Sequence, residues 1–309
     1  MYYIYYNPSR GGLGDSIIGL QSVFVLCKVL KLDLKILDGS VKFYNYFEIP
    51  EEYKAKKNIN LSTNYFDYQP SNNDLNKYLQ FDTNLLKFKN KNIIISSGSN
   101  FCQYLYLNKN FNIEIKQEDV IKILFKKIII PNKNILDLVH SVNKVYNLKD
   151  KVCVHIRCNN KWNDSNSNET EFKVLDTIKQ FTKCIKNITL EPVLLITDNL
   201  ELVKKVFQEE KIEYFVTPGE VCHSLKSNSI DFIKTLLDLL LIGETKISII
   251  SYWSNFSRIG VLRTLNTIYA VNPILNLEKN KFNYNIYFNE KFKKIESKDI
   301  LFKESNKFT

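Results

Sequence analysis

Short apolar runs recur along the chain, separated by longer stretches in which apolar residues return every three or four positions. The runs predict buried strands and the longer stretches predict amphipathic helices. Near the start, Tyr2–Tyr6 predicts a strand, Asn7–Gly14 (NPSRGGLG) a turn-rich loop, Asp15–Lys31 an apolar helix and Leu34–Leu37 a second strand. A strand, a crossover helix and a strand in this order favour a parallel sheet covered by helices. Residues 41–92 are polar, rich in Tyr and Asn and weakly periodic, and they predict no element. Ile93–Ser96 then predicts a buried strand that runs into the small-residue loop SGSN.

Beyond Pro131 the alternation becomes strict. Helices are predicted over Ile135–Tyr146, Glu171–Lys186, Leu200–Glu210, Ser229–Ile242 and Ser254–Leu265. Between them lie the strands Lys151–Ile156 (KVCVHI), Val193–Thr197 (VLLIT), Tyr214–Val216 and Ile247–Ile250, with Thr267–Val271 last. This order predicts a doubly wound α/β domain. A chain of 309 residues exceeds the size of one ordinary core, so two domains are expected, 1–130 and 131–309. The Lys- and Phe-bearing tail from residue 274 predicts no fold.

Composition changes this picture only at the margins. A hydrophobic fraction of 44% supports real cores, and a net charge of +10 suits an anionic partner. The lysines are scattered, so a solvated basic surface is the preferred reading of the charge, and without a recognised motif no nucleic-acid partner is expected. Six cysteines without a C-x-x-C pair, beside three histidines, argue against structural zinc. Cys27 and Cys153 lie in apolar runs and are expected as buried thiols. Met1–Tyr6 lacks a basic leader and cleavage site, and no apolar stretch approaches the roughly 20 residues of a membrane span, so a cytoplasmic protein is expected. Of the sequons at Asn60, Asn163, Asn168, Asn187 and Asn255, most are chance matches in an Asn-rich chain, and a glycan on Asn255 would block a helix start expected to bind phosphate.

In open parallel sheets, ligands bind beyond the carboxyl ends of the strands. Four junctions place polar residues there. His155–Lys161 (HIRCNNK) puts Arg157 at a strand end, where a guanidinium can fork two phosphate oxygens or pair with a surface carboxylate. Asp198 and Asn199 follow VLLIT, where a carboxylate can accept from guanine or ribose and either residue can cap the next helix. In Ser251–Arg258 (SYWSNFSR), Ser254 and Asn255 stand where helix amides face an anion, and Arg258 lies one turn on; a plain capped helix fits the same pattern. In the first loop Gly11, Gly12 and Gly14 allow close backbone approach to a ligand, with Asp15 at the helix start. The G-x-G-x-x-G spacing is absent, so a dinucleotide site is poorly supported.

These segments together resemble the GDP-fucose-dependent fucosyltransferases: the alpha-1,6, alpha-1,2 and protein O-fucosyltransferase types. GGLGD resembles the family's G-G-x-G-N/D opening, and HIRCNNK its H-x-R-x-x-D-K segment. LLITDNLELVKKV is similar to its A-T-D-D-x-x-L-x-K stretch, and LLDLLLIGETKISIISYWSNFSR to its L-D-x-x-x-L-S-x-A-D…S-S-x-x-x-R run. The likeness covers about residues 128 to 270 and the glycine loop. It implies a GT-B fold, α/β with two Rossmann-like doubly wound domains facing a cleft, the acceptor against the first and the nucleotide sugar in the second.

By that resemblance Arg157 binds the β-phosphate, His155 shapes the nucleotide pocket, and Asp198 or Asn199 meets guanine or ribose. Ser254 donates to the phosphates, Arg258 matches the family's arginine after the Ser pair, and Asp238 matches a structural helix aspartate. Asn160 stands where the family has aspartate, and Trp253 where it has the first serine of the pair, which opens base, sugar preference and activity to change. The implied reaction inverts the anomeric centre without a cofactor or metal, in keeping with the lack of a D-x-D motif. GDP-fucose is the implied donor and a glycan, glycolipid or protein the acceptor. The register of the family's catalytic glutamate holds Ser165, so Asp164, Glu169, Glu171 and Asp15 are the candidate bases. Two alternatives stay open: a GT-B transferase for another nucleotide sugar, or a member that binds without turnover.

Overall fold

The computed structural model describes residues 2–8, 11–39, 41–56, 92–98, 101–107, 111–158, 171–219, 231–252, 254–264, 266–271 and 292–295. The chain divides into two compact units, Met1–Leu136 with His223–Phe232, and Asp137–Cys222 with Ile233–Thr309.

In the first unit, β1 (Tyr3–Tyr6), α1 (Leu13–Leu30) and β2 (Asp33–Ile36) form a parallel βαβ, with Ile4 opposite Leu34 and Tyr6 opposite Ile36. The short helix α2 (Phe43–Tyr46) and strand β3 (Phe47–Glu48) follow. Strand β4 (Ile93–Ile95) pairs with the other side of β1, giving the order β2-β1-β4. Helices α3 (Cys102–Leu107) and α4 (Gln117–Lys127) lead to β5 (Ile130–Pro131), antiparallel to β3.

Helix α1 is apolar on nearly every face because it is buried on nearly every face. This corrects the expectation that no apolar stretch nears membrane-spanning length: by length and composition α1 could cross a membrane, and 83% of it is buried inside the protein. It starts two residues earlier than the sequence predicts, within the glycine loop, because Gly12 takes the cap position. It stops at Lys31, whose left-handed backbone (φ 54°) lets its N–H and that of Leu32 close on the last carbonyls.

Helix α5 (Lys133–Tyr146) spans the boundary between the units and starts from Asn132, whose side chain accepts the Ile135 N–H at 3.1 Å; the second unit continues from it. There follow β6 (Val152–Ile156), α6 (Glu171–Ile188), β7 (Val193–Thr197), α7 (Leu200–Glu209) and β8 (Tyr214–Phe215). The unit continues with α8 (Asp231–Ile242), β9 (Ile247–Ser251), α9 (Asn255–Thr264), β10 (Thr267–Val271) and β11 (Phe292–Ile295). These six strands form one sheet in the order β11-β10-β9-β6-β7-β8, parallel except for β11. Strand β11 is an addition to the expected elements; its sequence FKKI is too short and too basic to announce a strand.

Along β6, alternate side chains go to opposite faces. Val152, Val154 and Ile156 join Val193 and Leu195 of β7 in a core closed by Ile178, Phe181 and Ile185 of α6 and Val203, Val206 and Phe207 of α7. Read from β6, the parallel strands run 3-2-1-4-5, the order of a Rossmann sheet, and it reverses between β6 and β9.

Candidate functional site

At a reversal of strand order the flanking helices lie on opposite faces of the sheet, so the carboxyl ends of the two central strands open a crevice. Here those ends carry Arg157, next after β6, and Ser251, last in β9. The Arg157 N–H donates to the Ser251 hydroxyl at 2.9 Å. The next N–H, of Cys158, donates to Asp198 Oδ1 at 2.6 Å, and the other oxygen of that carboxylate lies 3.0 Å from Arg157 Nη1. Asp198 follows β7 on the other flank of β6. Its side chain is only 4% exposed, whereas that of Arg157 is 31% exposed. The cation at the rim is thus fixed from behind by a buried carboxylate and by neighbouring strand ends. A partly exposed guanidinium so held keeps its orientation for an anion arriving from solvent.

Asn199 caps α7, its side chain accepting the Leu202 N–H at 3.2 Å, while Asp198 holds the Arg157 loop. The two adjacent residues therefore divide the roles of cap and carboxylate partner.

His155 is buried, and its ring stacks on Phe256 in the first turn of α9, with centroids 5.4 Å apart at 30°. Burial, reinforced by the Arg157 charge, lowers its pKa to about 3, so the imidazole is neutral at physiological pH. Among the described residues, none hydrogen-bonds to its Nδ1.

The Ser254 N–H donates to the Ser251 carbonyl, and the Ser254 carbonyl receives the Arg258 N–H, the first bond of α9, both at 3.1 Å. Asn255 opens the helix, and its Oδ1 accepts from Arg258 Nη1 at 2.9 Å. Arg258 is 1% exposed, so it braces the helix start from inside. Before the start of α9 comes the turn on β9, so its N-terminal amides lie at the carboxyl-end rim, where an anion is favoured.

Gly12, Gly14 and Asp15 lie in the first unit, at the start of α1 after β1. Gly12 is the N-cap, and its N–H donates to Asp15 Oδ2 at 2.9 Å, so Asp15 satisfies one donor at the helix start. Gly11 has φ 74°, a conformation that L side chains rarely adopt. Gly14 is buried within the first turn. Asp164, Glu169, Asn160 and Trp253 lie outside the described residues, and Glu171 is the first residue of α6.

Asp238 lies in α8 and is buried with Lys234 and Thr217. Lys234 Nζ lies 2.6 Å from Asp238 Oδ2 and 2.5 Å from Thr217 Oγ1, and the Thr217 hydroxyl donates to Asp238 Oδ1 at 2.5 Å. Burial raises the carboxyl pKa against the pull of the Lys234 ammonium. This cluster ties the turn after β8 to α8. Among the described residues no group of three or more His, Cys, Asp or Glu side chains gathers as a metal-binding set.

Sequence reasoning gave no role to Ser251 or Phe256, although both lie in the SYWSNFSR segment. The apolar-to-polar change at Ser251 marks the end of the strand, but only the neighbouring strand reveals what its hydroxyl meets.

No protein-family model and no curated protein sequence matches the chain. Solved structures do. A point mutant of FUT1 from Arabidopsis thaliana in complex with GDP aligns with TM-score 0.68 at 15% identity, over 89% of this chain and 71% of that one. Fucosyltransferase NodZ from Bradyrhizobium aligns with TM-score 0.57 at 15% identity, over 96% and 99%. A crystal of the NodZ alpha-1,6-fucosyltransferase soaked with GDP-fucose aligns with the same TM-score at 14% identity. The chain has the α/β fold of these enzymes, the GT-B class.

Proposed function

We propose that the protein is a glycosyltransferase that moves fucose from GDP-fucose to a hydroxyl of a glycan, glycolipid or protein, with inversion at the anomeric carbon. The observation that carries this reading is Arg157, a partly exposed cation locked by Asp198 and Ser251 at the strand-order reversal, one hydrogen bond from the turn that starts α9. That pairing suits a diphosphate: the guanidinium takes one part of its charge and the helix amides another. Fold-sharing enzymes with GDP or GDP-fucose support guanine and fucose as the nucleotide and sugar.

In the reaction the acceptor oxygen attacks the anomeric carbon as the bond from that carbon to the β-phosphate oxygen breaks. GDP leaves with the bonding pair, and the acceptor proton passes to a carboxylate drawn from Asp15, Asp164, Glu169 and Glu171. Arg157 and the amides at Ser254 and Asn255 offset the charge that grows on the leaving oxygen, the part a metal plays in other transferases. Neutral His155 with Phe256 shapes the apolar wall beside the phosphates, and Asp198 acts on the nucleotide through Arg157. The second unit is assigned the donor and the first the acceptor. The five described cysteines are buried thiols, which suits a reducing compartment such as the cytoplasm.

Calorimetry with GDP, UDP and ADP, on the wild type and Arg157→Ala, tests the reading. GDP is expected to bind best. The variant is expected to lose binding and to slow GDP release from GDP-fucose by about 100-fold or more, as for loss of one preorganised charge-stabilising donor. Binding of GDP without turnover of GDP-fucose or GDP-mannose leaves a non-catalytic binder. A wild type that binds no nucleoside diphosphate overturns the proposal.

A further inference from the structure

Ser251 joins two groups that sequence places far apart. Its hydroxyl accepts the backbone N–H of Arg157 at 2.9 Å, across 94 residues of chain. Its carbonyl accepts the N–H of Ser254 and the hydroxyl of Ser257, each at 3.1 Å, which fixes the turn and first residues of α9. The residue is 6% exposed and ends the strand beside β6. One side of Ser251 therefore sets where the Arg157 loop leaves the sheet, and the other sets where α9 begins.

We propose that Ser251 is the positioning residue for diphosphate recognition: it fixes the spacing between the Arg157 guanidinium and the N-terminal amides of α9. This inference rests on the donor reading above. A diphosphate bridging a side-chain cation and a row of backbone amides needs the two at one fixed separation. The strands alone leave that separation loose, since the Arg157 loop and the α9 turn each begin where ladder pairing ends. The Ser251 bond removes this freedom before the ligand arrives, which lowers the cost of ordering on binding. Asp198 aims the guanidinium from the opposite flank, and Ser251 is shared by both arms.

The test compares Ser251→Ala and Ser251→Thr with the wild type, using GDP calorimetry, thermal melts and steady-state turnover of GDP-fucose. Ala removes the acceptor, and Thr retains a hydroxyl in its place. S251A is expected to weaken GDP binding about tenfold and to raise KM more than it lowers kcat, with S251T close to wild type. In the residual turnover of GDP-fucose by Arg157→Ala, S251A is expected to add little, because the guanidinium its hydroxyl positions is gone. If S251A fails to fold, Ser251→Cys carries the same comparison, since a thiol is a poor acceptor. A variant that melts lower but binds GDP like wild type, or an S251T as weak as S251A, overturns the positioning role and leaves the donor reading standing. A wild type that binds no GDP overturns both.

Discussion

His155, on β6, and Arg157, just after its end, share one physical constraint, for a buried imidazole beside a fixed guanidinium cannot hold a second positive charge. The unfolded imidazole takes up a proton near its ordinary value of 6.5, while the folded one resists until about 3. Between those values the unfolded chain binds more protons, so this group's contribution to stability is complete above about pH 6.5 and is lost as pH falls toward 3. The slope approaches about 1.4 kcal/mol per pH unit in mid-window. Urea melts of the wild type from pH 7 to 4 are expected to show it, and His155→Gln is expected to remove that part of the slope, whatever it does to stability at pH 7. Equal slopes in the two proteins would refute a neutral buried His155. At this scale the sequence was largely legible. A polar residue ending an apolar run announces a strand end, so His155, Arg157, Asp198 and Ser254 could be collected from local pattern. Their partners could not, since Arg157 meets Ser251 and Asp198 only through strand neighbours far along the chain.

At the scale of elements, α1 shows how close packing fixes a sequence. A side chain at Gly19 would place its Cβ 1.6 Å from the Ser97 carbonyl oxygen, and Tyr6 is built into the same contact, donating to the Ser16 carbonyl at 2.5 Å. The helix must therefore pass against the loop after β4 without a side chain between them. Gly12→Ala, by contrast, meets only Asp15 Oδ2 at 3.7 Å, an ordinary contact. Gly19→Ala is expected to cost about 3 kcal/mol or to prevent folding, and Gly12→Ala at most about 1 kcal/mol, measured by thermal denaturation. Similar losses from both would show that the two glycines serve the same end. The sequence reading found the glycine loop and the helix but singled out neither Gly19 nor Ser97, because a close approach between distant segments leaves no periodic trace. Elements of the second unit were read to within one or two residues for β6, β7, β9 and β10, where apolar runs are bounded by polar turns. The edge strand β11 escaped because its lysines break the apolar run.

For the whole molecule, a net charge of +10 bears on encounter rather than on fold. If the field draws an anionic nucleotide to the rim, raising ionic strength from 50 to 200 mM is expected to slow GDP association severalfold in stopped-flow, with dissociation changed less. A salt-independent rate would mean that the scattered lysines only solvate the surface. By itself the sequence determined the alternation of helices and strands, hence a parallel α/β architecture, and which polar residues stand at strand ends. Those properties follow from burial and turn chemistry within a few residues. Tertiary structure decided the strand order, and with it that β6 lies between β7 and β9, so that Asp198 and Ser251 close on Arg157 from two sides. That choice depends on which strand edges pair across nearly a hundred residues, and short-range pattern carries no information about it.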